Sequence, residues 1–326
     1  YYQRRFGVDI DPQSEAIVTL GSKEGLAHLA QAITAPGDTV LVPNPSYPIH
    51  AYGFILAGAN IRQLPIGLEH DFMDNLVRAV RHSVPSPRAL IINFPSNPTA
   101  QTVDLDFYRG IVEFCRDHDI CIISDLAYSE IYFGDVPPSS LLQIPGAKEI
   151  AVEFTSLSKT YNMPGWRLGF ATGNRELIHA LARVKSYLDY GAFTPVQVAG
   201  TAALNGPQSC VEEIRNTYRS RRDVLINGLL DAGWEVPSPA ATMFAWAPLP
   251  PALEKLGSLE FSKLLLQEAE VAVSPGVGFG EYGEGYVRIA LVENEQRIRQ
   301  AVRNIRRFLG RHTQRNTNTV ARALAS

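Results

Sequence analysis

The sequence predicts an α/β protein in which helices flank a mostly parallel sheet and a smaller α+β unit follows. Three observations predict it. Short apolar runs rich in β-branched residues alternate with longer amphipathic stretches, the pattern of βαβ units. Several of those runs end in polar residues, as expected where an open α/β sheet binds ligands beyond the carboxyl ends of its strands. Around Asn205-Gly206-Pro207-Gln208-Ser209 the alternation stops and one long helical pattern takes over.

In chain order, buried strands are expected over residues 17–19, 40–42, 89–94, 120–124, 151–155 and 168–172, each flanked by turn residues or a helical pattern. A long helix over 211–230 carries Arg215, Arg219, Arg221 and Arg222 on what reads as its solvent side. Two short apolar runs at 242–247 and 271–274, a strand over 286–291 and a closing helix over 295–309 complete the second unit. The domain reading is therefore 1–208 for the large unit and 209–311 for the small one. A tail over 312–326, without apolar periodicity, is expected to pack weakly or not at all.

Composition narrows the function. The chain has 326 residues, suited to about two domains. Lys plus Arg minus Asp plus Glu gives 30 − 33 = −3, so no excess of positive charge is available for a nucleic-acid backbone. No apolar run approaches the ~18 residues of a membrane span. Cys115, Cys121 and Cys210 form no Cys-x-x-Cys pair and read as free thiols in a reducing compartment, so a cytoplasmic location is expected. The opening Tyr1-Tyr2-Gln3-Arg4-Arg5-Phe6 has no initiator Met and no apolar signal core, which reads as a chain that has lost a preceding segment.

Chemistry concentrates at the strand ends. Lys159, in Ser156-Leu157-Ser158-Lys159-Thr160, follows the run 151–155, and Arg167 stands eight residues later. That spacing suits a covalent lysine beside a bound phosphate, and equally a solvated loop lysine. Asp125 ends an apolar run and Tyr128 follows three residues later. A carboxylate there can keep a pyridinium nitrogen protonated while the phenol bonds a ring oxygen, or it can cap a helix. Gly21-Ser22-Lys23 opens a helix after a strand, which reads either as a phosphate cradle or as an ordinary helix start. Tyr47 and Asn97 sit in Pro-rich loops that fix the backbone, for ring stacking and for a hydrogen bond, or merely as rigid turns. Arg288 stands alone inside an apolar strand and needs a carboxylate, either a substrate's or an internal partner's.

With these motifs in this order, the chain resembles the class I/II pyridoxal-phosphate-dependent aminotransferases, of the aspartate-aminotransferase fold (fold type I). The resemblance covers nearly the whole chain and implies pyridoxal 5'-phosphate as cofactor. It gives Gly21, Ser22, Lys23, Ser156, Ser158 and Arg167 to the phosphate and Tyr47 to ring stacking. Asp125 falls to the ring nitrogen, Tyr128 and Asn97 to the ring oxygen, Lys159 to the Schiff base and the proton transfers, and Arg288 with Asn97 to the substrate. Within the family, Gly21-Ser22-Lys23-Glu24-Gly25-Leu26-Ala27-His28, Asn44-Pro45-Ser46-Tyr47-Pro48-Ile49-His50 and Pro95-Ser96-Asn97-Pro98-Thr99-Ala100-Gln101 resemble bacterial glutamate–pyruvate (alanine) aminotransferases, which are similar to LL-diaminopimelate aminotransferases.

The resemblance implies ping-pong transamination between amino acids and 2-oxo acids, with no metal, in a homodimer whose shared site is lined by the aromatic, Gly-containing loop 187–195. Two departures stand out: Ala100 replaces the family's glycine, and the family's substrate-side glycine loop and phosphate-reaching tyrosine have no counterpart before Tyr1. Without an evident second Arg, a distal carboxylate would fall to that front segment, to backbone donors or to Tyr190. Rival readings on the same scaffold are an LL-diaminopimelate or other amino-acid aminotransferase, a C–S lyase and a decarboxylase. A pyridoxal-phosphate-sensing regulator would need a DNA-binding segment that is not evident.

Overall fold

A computed structural model describes residues 1–67 and 71–324, of which residues 313–324 are described by backbone alone. A seven-stranded sheet is built from β1 (Ala16–Thr19), β2 (Thr39–Asn44), β3 (Asn60–Pro65), β4 (Pro87–Ile92), β5 (Cys121–Asp125), β6 (Ala151–Ser156) and β7 (Gly169–Gly173). Its order is β1-β7-β6-β5-β4-β2-β3. Strands β3, β2, β4, β5 and β6 pair in parallel, whereas β7 runs antiparallel between β6 and β1. The expected α/β class and mostly parallel sheet are thus present. β2, β4 and β6 are buried almost throughout because helices cover both faces, which explains the apolar runs 40–42 and 89–92; β6 carries a buried Glu153 that accepts from the Tyr2, Ser124 and Ser140 hydroxyls. β3 was not foreseen: as an edge strand reading Asn60-Ile61-Arg62-Gln63-Leu64-Pro65, it exposes polar residues and lacks the apolar run of a central strand.

Local chemistry sets the helix starts around the sheet. Asp104 Oδ1 accepts from Phe107 N at 2.9 Å, and Asn174 Oδ1 from Leu177 N at 3.0 Å, satisfying donors that the first helical turn leaves open. The long helix spans Ser209–Asp231 and packs Leu225 and Leu229 into a second core beneath a three-stranded sheet. That sheet, ordered β8-β10-β9, comprises β8 (Phe244–Pro248), β9 (Ser274–Pro275) and β10 (Tyr286–Ala290). The run 271–274 therefore contributes strand only at its end.

Two further expectations are corrected. The closing helix does not stop near residue 309 but runs Glu295–Leu324, continuing through Gly310 into a stretch that holds no proline to end it. Of the expected tail, His312 packs 4.6 Å from the Phe308 ring, while the side chains from residue 313 onward, and the last two residues altogether, lie outside the described residues. The arginines of the long helix also do more than face water. Arg215 lies 3.9 Å over the Tyr132 ring and donates to the Glu130 backbone carbonyl at 3.1 Å. Arg221 donates to Leu291 and Val292 carbonyls, and Arg222 lies 4.6 Å over Phe133. Guanidinium stems and planes cover apolar surface well, so an arginine face can be a packing face. The three cysteines are free, as expected; burial pushes the Cys115 thiol up to about 12 and the Cys121 thiol up to about 11.

Candidate active site

The carboxyl ends of β2, β4, β5 and β6 open on a cleft of about 520 Å³ that also touches the small sheet. Eleven of the twelve residues singled out in the sequence line it: Ser22, Lys23, Tyr47, Asn97, Asp125, Tyr128, Ser156, Ser158, Lys159, Arg167 and Arg288. Gly21 lies just behind them. A side chain there would come within 2.3 Å of Arg167 Nη2, and its φ of +82° favours glycine. Tyr190 does not line the cleft and is 91% exposed.

Asp125 sits at the cleft floor, where β5 ends. Its Oδ1 accepts from Ala127 N at 3.2 Å, and its Oδ2 lies 3.0 Å from Nε2 of the fully buried His50. The acid closes a short turn and starts no regular helix. His50 went unassigned in the sequence; the available signal was its place three residues after Tyr47 at a helix start, which puts both rings on one face. The rings meet edge to face at 5.9 Å. Asn93 is a second residue without a sequence role. Its amide donates to the Asp125 carbonyl at 2.7 Å while its oxygen accepts from Asn97 N at 2.9 Å, locking the Pro-rich loop to the floor.

Lys159 lies in the single turn Leu157–Thr160 that follows β6, with Ser156 Oγ accepting from Ser158 N at 3.2 Å. The lysine is half-buried, with Nζ 6.0 Å from the Tyr128 ring centre. Burial holds its ammonium below the ordinary lysine range, and the positive charges of Arg167 and Arg288 act in the same direction. The Tyr128 phenol moves the opposite way: burial and then the Asp125 carboxylate raise it well above its ordinary value, so it stays a neutral donor. The cleft holds a second amine, Lys23, whose exposed side chain lies 5.6 Å over the Tyr47 ring.

On the opposite wall, Arg167 has φ +51°, an uncommon backbone state for a residue with a side chain, and donates to Pro164 O at 3.0 Å and Leu20 O at 3.3 Å. Ala100, the departure from the family glycine, likewise has φ +59°. The reason for a glycine at that place is therefore conformational as well as steric.

Arg288 enters the cleft from the strand Tyr286–Ala290 of the small sheet. Among the described residues no carboxylate lies within ion-pair distance of it. Instead the guanidinium is held between the Phe244 ring at 4.1 Å and the Phe279 ring at 4.6 Å, and Nη1 donates to Asn97 Oδ1 at 2.7 Å. Its buried Nε has no partner. Burial lowers its affinity for its proton, so the cleft presents a partly desolvated cation open to an anion.

Residues 1–305 match the family described as Aminotransferase class I and II. The chain belongs to this family. Its members use pyridoxal 5'-phosphate, and the chain is an aminotransferase of that kind. It is 63% identical over 309 residues to AatC of Rhizobium meliloti (strain 1021), covering 95% of this chain and 76% of AatC. To the glutamate-pyruvate aminotransferase AlaC of Escherichia coli (strain K12) it is 56% identical over 306 residues, covering 94% of this chain and 74% of AlaC. Identity to the LL-diaminopimelate aminotransferase of Moorella thermoacetica (strain ATCC 39073 / JCM 9320) is 44% over 311 residues, covering 95% of this chain and 79% of that protein. No helix among the described residues is long and apolar enough to cross a membrane.

Proposed function

We propose that this aminotransferase moves the amino group between glutamate and pyruvate, giving 2-oxoglutarate and alanine, and that the twelve residues gathered at the strand ends do the work. One observation carries the site reading: an unpaired arginine, Arg288, faces the same cleft as a lysine whose charge is disfavoured. The residues fit pyridoxal phosphate. Gly21 leaves Arg167 and the turn at Ser22 and Lys23 the close approach that a phosphate needs, and Asp125 faces the cleft with one oxygen held by His50. Ser156 and Ser158 supply hydroxyls to the same phosphate, and Tyr47 a flat ring for stacking.

When bound, the cofactor supplies an aldehyde that Lys159 can carry covalently and a ring that takes up the electron pair left at the substrate α-carbon. Asp125 would hold a proton at the ring nitrogen, with His50 orienting that carboxylate. Tyr128 and Asn97 would donate to the ring oxygen. Arg288 grips the substrate α-carboxylate through two parallel hydrogen bonds, its plane fixed by Phe244, Phe279 and Asn97. That would orient the α-hydrogen toward Lys159, whose free Nζ would take the proton from the substrate α-carbon and deliver it to the cofactor carbon that carries the amino nitrogen.

Arg288 contacts what all amino acids share, so it gives affinity without choice among side chains. The preference for alanine and glutamate is supported by the 56% identity to AlaC, against 44% to the LL-diaminopimelate enzyme. Steady-state kcat/KM for alanine, glutamate, aspartate and LL-diaminopimelate tests it. Alanine and glutamate should exceed LL-diaminopimelate by about tenfold or more, roughly 1.4 kcal/mol in transition-state binding. An excess of that size for LL-diaminopimelate would overturn the assignment.

The same reading proposes a homodimer. Tyr187, Tyr190, Phe193 and Trp166 are 76%, 91%, 73% and 51% exposed, and exposed aromatic side chains are the kind that subunit interfaces bury. Sedimentation at assay concentration should give a dimer; a fully active monomer would contradict this.

A further inference from the structure

Behind the cleft, a charged network that touches none of the reacting groups joins three segments of the fold. Glu24 lies in the first turn of the Ser22–Ile33 helix, and its Oε2 accepts from Leu20 N at 2.6 Å. The Leu20 carbonyl accepts from Arg167, so one residue, Leu20, is held by Glu24 through its N–H and by Arg167 through its C=O. Glu24 Oε1 in turn accepts from Lys185 Nζ at 2.9 Å and lies 2.5 Å from His28 Nδ1. Lys185, only 3% exposed, also donates to Asp189 Oδ2 at 2.8 Å, and Asp189 Oδ1 accepts from Gly191 N at 2.7 Å. Burial alone would raise the Asp189 carboxyl, but the bonds from Lys185 and Gly191 N outweigh it and hold the group below its ordinary range.

A buried lysine between two carboxylates is costly unless each partner stays in place, and removing one leaves the others unpaired in a poorly solvated site. The ammonium already stands between Glu24 and Asp189, where a metal ion would compete with it, so the Glu24, His28 and Asp189 cluster is read as a charge network. Its output is the conformation of the Leu20-Gly21-Ser22 turn.

We propose that Glu24, Lys185 and Asp189 are positioning residues for the cofactor phosphate: they pre-set the Leu20–Ser22 turn against Arg167 and tie it to the exposed loop at Tyr190 and Gly191. The inference rests on the reading above that this turn and Arg167 receive the phosphate. Pre-setting lowers the ordering cost at binding, so the network contributes affinity for the phosphate without contacting it.

Two measurements on the full chain test it. Hydrogen exchange of the Leu20–Gly25 amides in cofactor-free protein should be at least about tenfold faster in Lys185→Met than in the unsubstituted protein. The dissociation constant for pyridoxal phosphate should rise by a similar factor, while that for pyridoxal, which lacks the phosphate, stays unchanged. Unaltered exchange, or equal losses for both ligands, would overturn the proposal. If Lys185→Met does not fold, Asp189→Asn and Glu24→Gln, which keep side-chain volume, carry the same two measurements. Should the unsubstituted protein fail to take up pyridoxal phosphate, the cofactor-site reading falls, and the exchange result still decides whether the network holds the turn.

Discussion

Lys159→Ala should lower kcat/KM by at least about ten-thousandfold, since it removes both the covalent anchor and the base that moves the α-proton. Two amines line the cleft, and their surroundings separate them. Lys23 is exposed above Tyr47, whereas Lys159 is half-buried and pressed toward its neutral form by burial and by Arg167 and Arg288. Only a neutral amine attacks an aldehyde or accepts a proton. Borohydride reduction of the loaded protein, followed by mass analysis, should therefore leave cofactor attached in the unsubstituted protein and in Lys23→Ala, and none in Lys159→Ala. Turnover retained in Lys159→Ala would overturn its role.

Asp125→Ala should lose about a hundredfold to a thousandfold in kcat, the scale of one lost electrostatic stabiliser in a shielded site. The substitution leaves Gly21, Ser156, Ser158 and Arg167 untouched, so the cofactor should still bind, as an absorbance titration can check. What disappears is the negative charge that makes protonation of the ring nitrogen favourable, and with it the ring's capacity to accept electrons from the α-carbon. Loss of cofactor binding in step with loss of rate would point to a structural part for Asp125, and an unchanged kcat would refute its role.

Much of this site is legible in the sequence because its parts are strand ends. Asp125 closes one short β-branched run and Lys159 follows another by one turn, and short length with flanking turn residues marks such runs as strands. Residues that act through others carried no such signal. His50 reads as an ordinary helix residue until the fold brings it to Asp125 across 75 positions of sequence. Phe244 lies in a short apolar run and Phe279 outside any expected element, and only the fold of the small unit turns them into the walls that hold Arg288. The arginines of the Ser209–Asp231 helix were misread for a related reason: charge in a sequence says that a side chain is polar at its tip, whereas docking uses its stem and its plane. β3 was missed because edge strands need not be apolar, and the extent of the closing helix because loss of an apolar stripe does not end a helix that meets no proline.

The most direct test of the central claim, that the Lys159 cleft exchanges amino groups, is a single half-reaction. Protein loaded with pyridoxal phosphate and mixed with L-alanine or L-glutamate, with no oxo acid present, should release one equivalent of pyruvate or 2-oxoglutarate per cleft and then stop, retaining the amino group until a 2-oxo acid is added. Continued turnover without an acceptor, release of free ammonia or carbon dioxide, or no oxo acid at all would contradict the account.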